Sequence, residues 1–131
     1  IGSRACVMVG PKGQSVDGVA HELMHAEIHH RVGYLKRFLQ LPTWFDEGVA
    51  MQVDYRTRYS LSPQDSQTAE YVRDLTTFSS FFKGDEQAVV RNYASAKQVV
   101  ASWLSKVGSN SLYAHLQRLK NGESFAEILA E

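Results

Sequence analysis

The sequence predicts an α+β, mainly helical domain with a small N-terminal β element. Three observations predict it. Apolar residues recur three and four apart along 89–107, the spacing of one helix face. Ser, Asp and Pro precede several such stretches and Gly follows them, in the order that helix caps require. The single β-prone run, ACVMV, stands at the start of the chain before the turn-rich GPKGQ. A chain of 131 residues can bury roughly two-thirds of its unfolded surface, so 1–131 is read as one domain. Repeats, low-complexity tracts and linkers are absent.

Ala5 to Val9 is the expected strand. Ser15 or Asp17 can cap a first helix whose apolar positions are Val19, Leu23, Ala26 and Ile28, and Gly33 can end it. Pro42 to Val53 reads as a second helix, with Asp46 and Glu47 early in it, where the helix dipole favours acids. Ser62-Pro63 opens a third that runs to about Leu75. From near Asp85, the stripe Val89, Tyr93, Ala96, Val100, Trp103 and Val107 predicts the longest helix, stopped by Gly108. Two shorter helices follow, one capped by Ser109 or Asn110 and one by Ser124 after Gly122.

Composition narrows the functional classes. Lys plus Arg and Asp plus Glu are 14 each, so the charge balance supplies no attraction to nucleic acid or an anionic membrane. Cys6 is the only cysteine, which excludes an internal disulfide and a cysteine-based zinc knuckle. A start at Ile1, without methionine and almost directly before an apolar run, looks like a trimmed or processed chain. The expectation is a weak lean towards an exported or membrane-tethered protein, with any membrane association carried by a segment outside this sequence. Basic residues gather at Arg31, Lys36 and Arg37 and again at Arg56 and Arg58; with zero net charge they are read as solvated faces.

The stretch VAHELMHAE carries the chemistry. Residues four apart on a helix differ by about 40° in direction and about 6 Å in height, so His21 and His25 can converge on one ion. Glu22 then projects beside the ion without binding it, which is where a general base for a zinc-bound water belongs. A chain of this composition contains H-E-x-x-H by chance roughly 0.01 times. The competing reading is a solvated helix face with two incidental histidines.

A catalytic zinc takes a third protein ligand. His29 lies about 12 Å along the axis from His21, too far for one imidazole to close. The histidine that a metzincin pattern places six residues after His25 is Arg31 here. His29, His30 and His115 are therefore read as surface or packing residues. In PTWFDEGVA, Trp44, Phe45, Val49 and Ala50 bury a helix from which Glu47 emerges, and a glutamate among apolar neighbours is costly unless paired or metal-bound. Gly48 has no side chain to keep this helix from approaching another backbone. The predicted ligand set is His21, His25 and Glu47 around one Zn2+, with Glu22 as base.

HELMH followed by 21 residues and the glutamate of WFDEGVA resembles the gluzincins, zinc metallopeptidases with two His ligands and one Glu. The likeness is closest to compact relatives of the aminopeptidase N catalytic domain, whose second motif reads like W-x-x-E-G-x-A. It spans about residues 5 to 107 and is strongest at the two zinc segments. It implies a zincin-like fold, a small β element over an active-site helix followed by a helical C-terminal half, and hydrolysis of peptide bonds in a peptide or protein substrate. NYASAKQVV, residues 92–100, resembles the Y-x-x-G/A helix of that family, and the resemblance implies that Tyr93 stabilises the tetrahedral oxyanion; a core tyrosine is the plainer reading.

Two departures refine the expectation. The aminopeptidase branch holds the substrate's free amine with a glutamate on its edge strand, and RACVMVGPKG contains no acid, so an endopeptidase is expected. An extended peptide would pair with the edge strand near Val7. The thermolysin branch places an Asp four residues after its glutamate ligand, and that position is Met51. Asp54 returns to nearly the face of Glu47; it is read as a solvated helix end, with a brace for a zinc histidine as the alternative. The competing function is a zinc-containing peptide-binding or regulatory module without turnover, which Glu22 disfavours because a pure binding site has no use for a base.

Overall fold

The computed structural model describes residues 6–11 and 14–131. Its α-helices, in chain order, are α1 (Val16–Val32), α2 (Tyr34–Gln40), α3 (Thr43–Ala50), α4 (Pro63–Gln67), α5 (Phe78–Phe81), α6 (Glu86–Val107), α7 (Leu112–Lys120) and α8 (Phe125–Leu129). Short 3₁₀ turns at Met51–Val53, Thr57–Tyr59, Ala69–Asp74 and Ser109–Ser111 join them. The protein is mainly helical, as its periodicity predicts.

The expected N-terminal strand is not found. Cys6 to Gly10 has no regular structure, Ala5 lies outside the described residues, and no strand occurs among those described. A strand needs a partner to accept and donate its backbone hydrogen bonds, and the described residues offer none.

Capping residues end α1, α6 and α8 where the sequence places them, whereas Ser109 and Asn110 lie in a 3₁₀ turn and α7 starts after Ser111 with no side-chain cap. The Ser15 hydroxyl accepts from Gly18 N at 3.0 Å to start α1, and Gly33 ends it at φ +87°. Asp85 caps α6 by accepting from Ala88 N at 2.8 Å, and Gly108 closes it. Ser124 caps α8 in a reciprocal capping box with Glu127. The expected helix from Ser62 to Leu75 is instead α4 followed by the 3₁₀ turn Ala69–Asp74. Three residues per turn puts Ala69 and Val72 on one side, and both are buried there. The sequence predicts neither α2 nor the four-residue α5.

The core lies between α3 and α6, flanked by α1, α7 and α8. Trp44, Phe45 and Val49 of α3 meet Ala96, Val100 and Trp103 of α6, and Phe45 stands edge-on to Trp103 at 5.4 Å and to Phe125 at 5.0 Å. Gly48 is the point of closest approach: a Cβ there would stand 2.6 Å from the Ala96 carbonyl oxygen and 2.5 Å from a Val100 methyl. Ile28 and Val32 bury the far end of α1, which contacts α7. The apolar face expected for α1 is displaced. His21, Met24, Ile28 and Val32 point inward, whereas Val19 is 39% and Leu23 52% exposed, because the packed side of α1 is the one that meets α3. Among the described residues no helix is long and apolar enough to cross a membrane.

Candidate metal centre

α1 and α3 cross so that His21, His25 and Glu47 point at one another. Four residues of α1 bring the two imidazoles to one face, with ring centroids 4.9 Å apart. On α3, Trp44, Phe45, Val49 and Ala50 are drawn into the core, which turns Glu47 towards α1 with only 9% of its surface exposed. Gly48 lets α3 press against α6, so the position of the Glu47 carboxylate is set by backbone contact.

The facing atoms are His21 Nε2, His25 Nε2 and Glu47 Oε2. Their separations are 3.1 Å between the nitrogens, 3.2 Å from His21 to Glu47 and 3.3 Å from His25 to Glu47. A tetrahedral zinc with bonds of about 2.0–2.1 Å needs donor atoms about 3.3 Å apart. The donor set, two imidazoles and a carboxylate, is one that zinc takes in catalytic sites. Two facing imidazole lone pairs 3.1 Å apart repel, so either an N–H of one ring or a bound cation lies between them. Among the described residues this is the only cluster of three or more potential ligand side chains drawn this close.

A carboxylate stands behind each histidine, hydrogen-bonded to His25 and close to His21. His25 Nδ1–H donates to Asp46 Oδ1 at 2.9 Å, which leaves Nε2 to face the centre, as a lone pair once its proton is displaced. Arg37 Nε donates to the other Asp46 oxygen at 2.8 Å. Arg37 Nη2 also lies 3.1 Å from His25 Nδ1. If that nitrogen accepted from Arg37, an Asp46 oxygen would face a lone pair at 2.9 Å, so the tautomer with hydrogen on Nδ1 is the favoured one. Behind His21, Asp54 Oδ2 lies 3.6 Å from Nδ1, a buried nitrogen with no hydrogen-bond partner among the described residues. Asp54 is fully buried and is held by Arg56, whose Nη2 donates to Oδ2 at 2.5 Å.

These contacts, with those of Lys36, revise three expectations. Asp54 is no solvated helix end: α3 tightens into the 3₁₀ turn Met51–Val53, and Asp54, in extended conformation, folds back beneath His21. Arg37 and Arg56 are bonded to the carboxylates behind the histidines, and Lys36 donates to the carbonyls of Leu119 and Lys120, so these three are not simply solvated. Asp46 was legible only as a helix-start acid; adjacent to Glu47, it projects about 100° away on the helix, where spacing alone does not connect it with His25.

The electrostatics favour positive charge at the centre. Burial alone would lower the basicity of His25, but hydrogen bonds to Asp46 and Glu47 and their charges override it and raise its pKa from 6.5 to about 10. Burial alone would raise Glu47, yet its contacts with both histidines bring its pKa down to about 2. Burial likewise opposes the ionised form of Asp54, and the Arg56 hydrogen bonds hold that carboxyl below its usual range. A proton and a divalent cation are competing occupants of such a field.

Glu22 is half-buried beside His21. The Tyr93 ring, half-buried on α6, stands edge-on to His21 at 5.9 Å and is enclosed by Phe81, Phe82 and Tyr59. Burial, then the charges of Glu47, Tyr59 and Glu22, pushes its phenol well above the usual range, so the hydroxyl stays a donor. The remaining histidines lie outside the cluster. His29 packs on Tyr34, His30 is exposed, and His115 is buried against Trp103 with its nitrogens facing Ser111 O and Glu131. No family model, no curated protein and no solved structure matches the chain.

Proposed function

We propose that the chain is a zinc-dependent metallopeptidase of the gluzincin type, with His21, His25 and Glu47 as ligands and a zincin-like crossing of the two ligand helices. The observation that carries this reading is the convergence of three donor atoms, from two helices, at separations of 3.1–3.3 Å, with Glu22 next to one of them in sequence. Zinc held there supplies a Lewis acid that acidifies water and polarises a peptide carbonyl. Glu22 takes the proton from the attacking water and passes it to the leaving amine. The Tyr93 hydroxyl donates to the oxyanion that develops on the carbonyl oxygen. An endopeptidase is the preferred form, because no acid stands in residues 4–13 to hold a free substrate amine. Pairing of substrate with an edge strand near Val7 is dropped, since no strand is found there.

Metal analysis of the purified chain together with a peptide-library digest, including peptides with blocked amino termini, tests the reading. One zinc per chain and cleavage of blocked and free peptides alike are expected. Glu22→Gln keeps size and hydrogen bonding but cannot take the proton, so it should retain zinc and lose turnover. Zinc-free protein, or a Gln variant that cleaves at the parent rate, would overturn it.

A further inference from the structure

α2 is a helix with no buried residue, and it exposes Tyr34, Leu35, Phe38 and Leu39 to solvent. Apolar burial therefore does not hold it in place. Two polar tethers do: Lys36 Nζ donates to the carbonyl oxygens of Lys120, at 2.6 Å, and Leu119, at 3.3 Å, and Arg37 is paired with Asp46. Lys36 ties α2 to the end of α7, far along the chain from either ligand segment. Arg37 reaches the residue that immediately precedes a candidate ligand and that itself accepts from the other one, His25. With side chains 26% and 16% exposed, Arg37 and Asp46 are shielded enough for a fixed geometry to persist.

We propose that Arg37 is a positioning residue of the metal centre: by gripping Asp46 it fixes the ring orientation and the Nδ1–H tautomer of His25, so that this one contact sets how tightly the cation is held. The inference rests on the zinc reading above. A carboxylate with one free oxygen can swing about its stem. With Arg37 on Oδ2, Asp46 has only Oδ1 to offer, and it offers it to His25. The guanidinium fork suits this role better than an ammonium, which is a point charge on a flexible stem.

Electrostatics and positioning predict opposite signs here. Arg37 is a cation close to the proposed cation site, so its charge alone weakens zinc binding, and deleting it should tighten binding. If Arg37 positions His25 through Asp46, deleting it loosens binding, by a factor on the order of 10, at the low end of what partners behind metal ligands contribute.

The experiment measures zinc affinity of the full chain by competition with a chromophoric chelator. The proteins are the parent, R37M, K36M, D46N and the double variant R37M/D46N. R37M is expected to bind zinc about 10-fold more weakly. K36M, which cuts the other tether of α2, is expected to match the parent, separating positioning of His25 from general loosening of the helix. The double variant is expected to be no weaker than D46N alone, because Arg37 acts through Asp46. R37M binding zinc as tightly as the parent, or more tightly, would overturn the inference, as would additive losses in the double variant or an equal loss in K36M. R37K is the second probe of the same contact and should fall between parent and R37M; equal affinity in parent and R37K would overturn the role of the fork. A parent chain that takes up no zinc would overturn the metal reading itself, an outcome distinct from all of these.

Discussion

At the scale of single residues, Tyr93 turns on one hydroxyl. Its ring belongs to the aromatic wall with Phe81 and Phe82, while its pKa keeps the proton on the oxygen. Tyr93→Phe should therefore lower peptide turnover by about 10²-fold, the cost of one oxyanion donor, with zinc content and thermal midpoint nearly unchanged. A steady-state assay and a melting curve on one preparation check this, and full activity would return Tyr93 to the core. His25 and Glu47 set the pH response. A histidine raised to about 10 stabilises the metal-free fold fully below its ordinary 6.5 and loses that contribution as pH rises through 10. A glutamate lowered to about 2 contributes above its ordinary 4.5 and loses that contribution as pH falls through 2. The metal-free chain should thus be most stable between about pH 4.5 and 6.5. Zinc has the opposite preference, since it needs His25 neutral: its affinity should climb with pH, about tenfold per unit between pH 7 and 9 for one displaced proton. Denaturation and zinc titration across that range measure both, and a flat zinc affinity would contradict the ligand role of His25.

At the scale of elements, the contact of α3 with α6 decides whether Glu47 can reach the histidines. Gly48→Ala would drive a methyl group to within 2.6 Å of a backbone oxygen that cannot step aside. The expected cost is about 1–3 kcal/mol in chemical denaturation. Because the displaced helix carries Glu47, a weaker zinc affinity should accompany the loss. An Ala variant as stable as the parent would show that α3 has room to shift. Helix ends were largely legible: Ser15, Gly33, Asp85, Gly108 and Ser124 cap or stop helices where their chemistry directs. α2 was not legible, because YLKRFLQ has no cap, no terminator of its own and no face that the core requires.

At the scale of the whole molecule, the proposed zinc would join α1 to α3, two elements otherwise held by helix packing and the His25–Asp46 hydrogen bond. Removing it should lower stability by an amount that grows with the logarithm of free zinc over its dissociation constant. A ligand at 100 times its dissociation constant contributes about 2.7 kcal/mol, so a chelator should lower the thermal midpoint by several degrees and re-added zinc should restore it. Calcium or magnesium should not substitute, since two imidazoles and one carboxylate are poor donors for hard cations. An unchanged midpoint with and without chelator would argue that the centre binds no metal tightly.

By itself the sequence determined a mainly helical chain, both ends of its two longest helices, and His21, Glu22, His25 and Glu47 as the residues to watch. Those features are local: caps act within one turn, and H-E-x-x-H places its side chains by the pitch of a single helix. Gly48 was legible for a related reason, since a missing side chain between bulky neighbours states that something must come close. What only the tertiary structure decided depends on distances between elements. It drew Asp46 and Arg37 behind His25, and Asp54 and Arg56 behind His21, out of residues whose charge alone suggested solvent. It also turned α1 so that Val19 and Leu23 lie outside, and left Cys6 to Val9 without a partner strand among the described residues. Propensity marks a residue's conformation, but which carboxylate faces which imidazole is settled by how α1, α2 and α3 pack.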